Sequence, residues 1–341
     1  HAAPGPRFFA GHGSYPARCR PRPVPRFRCK ACGRTFSRQT FRMDYRDHRP
    51  DLNARLVELL ASGLGLRQSG RILGLSRRCT ELKARKIGRH LRLLNLNLRG
   101  PLPPNASFQF DELETYEGRR NTRPLSVPLL IEKESRFVVW AEAAPIRPSG
   151  GMSKARRAAI AQDERILGRR RNSSRWSAAR TLRRGSALVP ESVALVHVAT
   201  DEKKTYPKLL REAFGRGRVV QTKTNSKLAR GTWNPLFPIN HTEAMVRDLT
   251  GRLRRESWLV SKRRRWLDIA LHVFIAYRNY VRRRVNTEKE SPAQTLGFAS
   301  RRMTWRELLS WRQDWARESI HPLARRSESA GVVAERGRRA A

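Results

Sequence analysis

Two aspartates end short apolar runs, in Phe108-Gln109-Phe110-Asp111-Glu112 and Val196-His197-Val198-Ala199-Thr200-Asp201-Glu202. Runs of this length and composition read as buried strands, and an acid at the end of each calls for a sheet that carries both to one edge. The chain holds 72 Lys and Arg against 29 Asp and Glu, so acids at strand ends stand out against their background. Paired carboxylates of this kind suit divalent ions that activate an attacking oxygen and stabilise a leaving one in phosphodiester chemistry.

The formal net charge of +43 over 341 residues disfavours the compact state by self-repulsion unless a polyanion neutralises it, which makes DNA or RNA the expected partner and a membrane surface the weaker one. No apolar stretch approaches the roughly 20 residues that span a bilayer, and no signal-peptide pattern opens the chain. The expected location is the cytoplasm. The chain begins at His1, which points to a fragment or a removed upstream segment. Four cysteines, Cys19, Cys29, Cys32 and Cys79, are too few and too clustered for a disulfide framework.

Residues 1–45 are rich in Gly, Pro and Arg and end in Arg26-Phe27-Arg28-Cys29-Lys30-Ala31-Cys32-Gly33-Arg34-Thr35-Phe36. An aromatic strand leading into Cys-x-x-Cys-Gly reads as one knuckle of a zinc ribbon. Cys29 and Cys32 supply two zinc ligands, with Cys19 and His12 as candidates to complete the four; a redox dithiol or plain loop cysteines compete. Residues 46–98 turn helical, with Leu52, Leu56, Leu59 and Leu60 at steps of three and four. Gly63 and Gly65 break the run, a second segment covers 66–73, and Ser76 caps a third helix through about His90. Its cations Arg77, Arg78, Lys83, Arg85, Lys86 and Arg89 make it the recognition helix of a helix-turn-helix expected to hold double-stranded DNA; an unspecialised helical hairpin is the alternative.

Residues 99–106 form a proline-stiffened linker. The catalytic unit expected over 107–298 has strands at 108–110, 125–131, 136–141 and 193–199, interrupted by a basic stretch over 147–190 that reads as an exposed, phosphate-contacting insertion or a mobile loop. A helix follows Asp201, then a short strand at Val219-Val220, a loop with Lys223, Lys227 and Arg230, and a helix opened by Thr242 that runs through Arg255 or beyond. Trp266, Ile269, Ala270, Val273, Phe274 and Tyr277 form a core stripe on a second helix over 263–284. Residues 299–341 are a basic helical tail carrying Trp305, Trp311 and Trp315, partly of disorder-like composition.

This element order, with Glu243 as a third acid early in its helix and Arg247 one turn on to reach phosphate, fits an α/β mixed sheet of the ribonuclease-H-like kind. Competing roles are a solvated acidic turn for Asp111, a helix cap for Asp201, and a dipole partner for Glu243. Glu112 and Glu202 are expected on the opposite face of the sheet.

The order of motifs resembles the bacterial DDE-class insertion-sequence transposases, particularly the group named after insertion sequence one. The knuckle around Cys29, the Phe110-Asp111-Glu112-Leu113-Glu114-Thr115-Tyr116 segment, the Ala199-Thr200-Asp201 segment with Tyr206 beyond it, Arg252 to Ser257 with Ser261-Lys262, and Ser291-Pro292-Ala293-Gln294-Thr295-Leu296-Gly297 carry the likeness. It spans about residues 13–298. It implies a multidomain metal-dependent DNA transposase that cuts and joins strands at terminal inverted repeats. It further implies a nucleoid-associated protein, two magnesium ions on Asp111, Asp201 and Glu243, and a homodimer or larger assembly. Counting back without gaps from Ser261-Lys262 puts the family's third acid on Asn240. The ribbon's first Cys-x-x-Cys is missing, as in a truncated or decayed copy. A transposase-derived DNA-binding regulator without catalysis, or more distantly a basic ribosomal-type RNA-binding protein, is the rival expectation.

Overall fold

Alternation along one strand organises the mixed-sheet half. In β4 (Phe108–Tyr116), Phe108 and Phe110 point to one face of the sheet and Gln109, Asp111 and Leu113 to the other, as a period of two requires. Its first three residues are fully buried, and Gln109 is the polar one among them; beyond Phe110 the strand alternates acids with the buried Leu113 and Tyr116. The computed structural model describes residues 7–17, 19–253 and 263–316. The segment with Arg254, Arg255, Glu256, Ser257 and Ser261-Lys262, and the tail beyond 316, lie outside the described residues.

The sheet is mixed, in the order β6-β5-β4-β8-β9. Antiparallel neighbours are β4, β5 (Pro124–Glu132) and β6 (Val138–Ala141), with β7 (Ala144–Pro145) added to β5. On the other side β8 (Val196–Thr200) runs parallel to β4, and β9 (Val219–Lys223) parallel to β8. The strands expected from sequence are therefore present, and the fold is α/β.

One face packs Phe108, Phe110, Leu130 and Val198 against α5 (Ser174–Ser186) and α6 (Tyr206–Phe214). The other packs Leu113, Leu129, Ile131 and Val138 against α7 (Phe237–Leu249) and α8 (Arg264–Ala276). The basic stretch over 147–190 divides in two. Its first helix, α4 (Lys154–Leu167), is largely exposed, whereas α5 buries Ala178, Ala179, Leu182 and Gly185 in the core. The small residues spaced between arginines in α5 make an apolar face that the charge of the segment obscures. The helix expected from Thr242 begins earlier, at Phe237, with Pro238 in its first turn, so Glu243 lies in mid-helix and not at its dipole end.

At the N-terminus, β1 (Phe9–Tyr15), β2 (Val24–Cys29) and β3 (Thr35–Ser37) form a separate three-stranded sheet. Phe27 lies with its ring centroid 5.1 Å from Phe9 and 5.6 Å from Phe36, edge-on to the former, an arrangement favoured by the ring quadrupole.

The helical segment consists of α1 (Asn53–Ala61), α2 (Leu66–Ile72) and α3 (Arg77–Asn97). Ser76 caps α3 as expected, its Oγ accepting from the Cys79 N–H at 3.2 Å. The helix then runs well past His90 and joins the mixed-sheet half. Gly88 of α3 lies so close to α8 that an added Cβ would stand 2.0 Å from Ile269 Cγ2. Further along, Asn95 Nδ2 donates to the His272 carbonyl at 2.9 Å, and Leu56, Ile87, Leu91 and Leu94 share the core with Phe108 and Phe110. After the short α9 (Pro292–Thr295), the tail segment α10 (Trp305–Ser310) closes on α3, with His90 Nε2 donating to Leu308 O at 2.9 Å. Trp311 lies just beyond α10 and Trp315 in a separate short turn, so the three tryptophans do not share one helix.

Candidate active site

Asp111 and Asp201 are neighbours because β4 and β8 are parallel and paired Phe108↔Val198 to Phe110↔Thr200. Each acid follows the last paired residue, which places them side by side at about one strand spacing, roughly 4.8 Å between backbones. Asp111 Oδ1 accepts from the Glu112 N–H at 2.7 Å, and Asp201 Oδ1 from the Lys203 N–H at 3.0 Å. Asp201 caps no helix, since α6 starts at Tyr206 behind Thr205.

Glu243 arrives from the other side of the core. Gln109 bridges to the start of α7, its Oε1 accepting from the Ile239 N–H at 2.9 Å and its Nε2 donating to Pro235 O at 2.8 Å. Asp111 is two residues after Gln109 on the same face of β4, and Glu243 is one turn after Ile239 on the same side of α7. The two side chains are thereby directed toward one another. Glu243 is 6% exposed, and its Oε1 is buried with no hydrogen-bond partner. Burial first, then the charges of Asp111 and Asp201 against the opposing pull of Arg247 and Arg230, pushes the Glu243 carboxyl up to about 8. Asp111 is likewise raised, chiefly by burial and then by Asp201, against the Glu112 N–H. The three carboxyls thus lie within each other's field. Asn240 is half-buried one turn before Glu243; a neutral amide there adds no negative charge to the group.

Arg247 donates to the Glu114 carbonyl from both terminal nitrogens at 3.3 Å, beside the acids as its spacing from Glu243 predicts. Arg230, whose charge reaches both Asp111 and Glu243, is the cation that sequence reasoning left among generic loop residues. Its only sequence signal was the basic run between β9 and α7. Tyr206, which the sequence offered only as part of the Asp201 motif, is the second such residue. Its ring packs edge-on to Phe110 at 5.0 Å, its hydroxyl is buried without a partner, and burial, followed by the carboxylates, raises it far above the phenol range. Glu112 does face the other way, accepting from Ser126 Oγ at 2.5 Å and from Lys203 Nζ at 2.9 Å.

Among the described residues, no three His, Cys, Asp or Glu side chains form a ready-made ligand cluster; the acids share a neighbourhood and not a common point. Their chemistry nonetheless fits a hard divalent cation. All the donors are oxygens, and one of them is a buried oxygen whose hydrogen-bonding capacity the protein leaves unused.

The basic residues of α3 sort into two groups. Lys83 is 4% exposed, and its Nζ reaches both oxygens of Asp47 at 2.6 and 2.7 Å, Arg49 O at 2.7 Å and Asn53 Oδ1 at 3.0 Å. The expectation that Lys83 contacts DNA is therefore corrected, because a buried ammonium held by four acceptors ties the knuckle-to-helix segment to α1 and α3. Lys86 Nζ similarly donates to Tyr45 O at 2.6 Å, and Arg77 pairs with Glu81 at 3.0 Å on the surface. Arg78 and Arg89 are exposed and Arg85 half-buried. With the exposed Leu82, these three recur at steps of four, three and four, which makes one outward stripe opposite the buried Ala84, Ile87, Leu91 and Leu94.

Cys29 and Cys32 do form a knuckle. Gly33 adopts φ +69° and donates to Cys29 O at 2.9 Å, and N–H groups of Cys32, the strongest influence, and Ala31 hold the Cys29 thiol below its ordinary range. The proposed completions stand elsewhere. Phe9, not His12, pairs with Cys29, and Cys19 follows the end of the sheet where Tyr15 pairs with Val24. At about 3.4 Å per residue His12 is roughly 10 Å and Val24 roughly 17 Å from Cys29 along the strands. Two thiols without these partners do not make a four-ligand zinc site among the described residues.

No helix among the described residues is long and apolar enough to cross a membrane. No family model matches the chain, and no curated protein does.

Proposed function

We propose that this protein is a DDE-type DNA transposase that cuts and joins strands at the ends of a mobile element. Its mixed sheet is compatible with a ribonuclease-H-like catalytic unit. The observation that carries the proposal is the convergence of Asp111 and Asp201, at the ends of adjacent parallel strands, with Glu243 on α7. This is an acidic group in a chain of net charge +43, and a polyanion approaches it only if the acids are neutralised.

Asp111, Asp201 and Glu243 would hold magnesium, which supplies Lewis-acid activation of the attacking oxygen and stabilisation of the leaving one. The remaining work falls to the chain. Asp201 is fixed by the Lys203 N–H and Asp111 by that of Glu112, so both present a defined second oxygen. Arg230 and Arg247 add positive charge beside the acids, where a phosphate sits. The Arg78, Arg85 and Arg89 stripe holds the duplex backbone away from the reacting phosphate. Joining two ends calls for a homodimer or larger assembly.

The test is strand cleavage and transfer on a duplex carrying the element's terminal repeats, with and without magnesium. Asp111→Asn, Asp201→Asn and Glu243→Gln should each lower cleavage by at least about a hundredfold, the scale on which removing a transition-state charge stabiliser acts, with duplex affinity kept. Metal-dependent cleavage that survives Asp111→Asn overturns the proposal. A wild-type protein that binds the duplex and never cuts is a regulator, and overturns it too.

A further inference from the structure

Residues 224–236 form an arch from one catalytic aspartate to the other. It leaves the sheet beside Asp201, where the Thr224 N–H donates to Thr200 O at 2.9 Å. It lands beside Asp111, where Gln109 Nε2 donates to Pro235 O at 2.8 Å. Asn234 fixes the landing, with Nδ2 donating to Ala229 O at 2.9 Å, Oδ1 accepting from the Leu236 N–H at 2.8 Å and its own N–H donating to Gly231 O at 3.0 Å. The backbone there is held by its own bonds before any ligand arrives.

What the arch displays is unusual for solvent. Lys227 and Arg230 are exposed cations; Leu228 is 51% and Trp233 97% exposed. Among the described residues the next most exposed large apolar side chain is Ile166, at 70%. A bare indole on a basic loop whose two ends are anchored beside Asp201 and Asp111 does not serve the core. It offers a π-face, and the ligand class that brings both a π-face and a phosphate to one place is nucleic acid. A paired duplex keeps its base faces covered by stacking, so only an unpaired base can use that face.

We propose that Trp233 stacks an unpaired DNA base next to the phosphate that is cut, while Lys227 and Arg230 hold the flanking backbone. The true substrate of the site is then DNA opened at the cleavage point, and the arch is the element that keeps it open. This rests on the reading of Asp111, Asp201 and Glu243 as the cutting site.

The probe is a DNA duplex of arbitrary sequence with one unpaired base, compared with its fully paired counterpart, both bound without divalent metal so that no cleavage intervenes. The wild-type protein should hold the unpaired form about ten-fold tighter, the scale of one base stacked on an aromatic ring. Trp233→Ala should bind both forms equally, and Trp233→Phe should retain most of the preference. Because Trp233 touches no core, thermal melts of both variants should match the wild type. A wild-type protein without preference, or a preference that survives Trp233→Ala, overturns the proposal. Asp111→Asn keeps Trp233 and should keep the preference, so a failure of the acid site would show in cleavage and leave this binding difference standing.

Discussion

The Gln109 carboxamide accepts the Ile239 N–H at 2.9 Å, and Ile239 is in the first turn of α7, where backbone donors have no partner within the helix. One side chain from β4 therefore caps a helix distant in sequence and sets Glu243 against Asp111. Gln109→Leu leaves that N–H and the Pro235 carbonyl unpaired inside the protein, at a cost of about 1–3 kcal/mol. It should lower stability in urea titrations by that amount and also weaken the magnesium dependence of cleavage. A variant with full stability loss and unchanged magnesium response would show that α7 is held in place by packing alone.

Lys83 and Arg89 separate structure from binding along one helix. Lys83→Ala strands Asp47 in the interior and should cost about 3–5 kcal/mol, read as a large fall in melting temperature. Arg78→Ala and Arg89→Ala should leave the melt within about 0.5 kcal/mol. Each should instead reduce the slope of duplex affinity against salt by about one. A salt slope unmoved by both would remove the α3 stripe from the DNA interface.

Gly88→Ala should destabilise despite the better helix propensity of alanine, worth about 1 kcal/mol. Its Cβ would stand 2.0 Å from Ile269 Cγ2 and 3.2 Å from Ile269 O. Overpacking of this sort costs about 1–3 kcal/mol. Ile269→Ala in the same chain should recover part of the loss, because it removes the nearest contact and leaves Cβ at 2.9 Å and the carbonyl at 3.2 Å. Equal melting of the single and double variants would mean that α3 and α8 yield without strain.

Asp268 is buried and raised from 3.8 to about 6, chiefly by burial, while its carboxylate accepts the Ala143 N–H at 2.8 Å. Between these values the folded chain holds a proton that the unfolded chain has released, so stability falls as pH rises from about 4 to 6 and stays reduced above it. The two-unit shift corresponds to about 3 kcal/mol. His272, lowered by burial, acts oppositely, since the unfolded imidazole takes up a proton below about 6.5 and the folded one does not. Asp268→Asn keeps the acceptor for Ala143 and removes only the acid's contribution. Urea titrations at pH 4, 5, 6 and 7 should then show the stability difference between Asp268→Asn and wild type changing between pH 4 and 6 and flattening above it, because Glu243, Asp111 and His272 titrate in both; a difference constant with pH would exclude Asp268.

Several parts of this fold were legible before any coordinates. The runs ending at Asp111 and Asp201 fixed two strands and their acids, because a buried strand must be apolar and a lone acid at its end has little reason to be there. Ser76 and the leucine spacing marked the helices, and the Cys29-Lys30-Ala31-Cys32-Gly33 turn marked the knuckle. Lys83 and α5 were misjudged for one shared reason. Charge in a sequence reads as surface, yet an ammonium surrounded by Asp47, Arg49 O and Asn53 is buried at no penalty of unmet hydrogen bonds, and arginines at the rim of α5 hide the small residues facing the sheet.

Local periodicity thus determined most of the residues that lie on strands and helices and marked Asp111 and Asp201 as strand-end acids. Only the tertiary structure decided that Glu243 lies in the field of Asp111, that the charge of Arg230 reaches both, and that Lys83 is internal. Those relationships join positions far apart along the chain, and they depend on strand order, on the Gln109 clamp and on which acceptors surround a given charge. None of these leaves a periodic trace in the sequence.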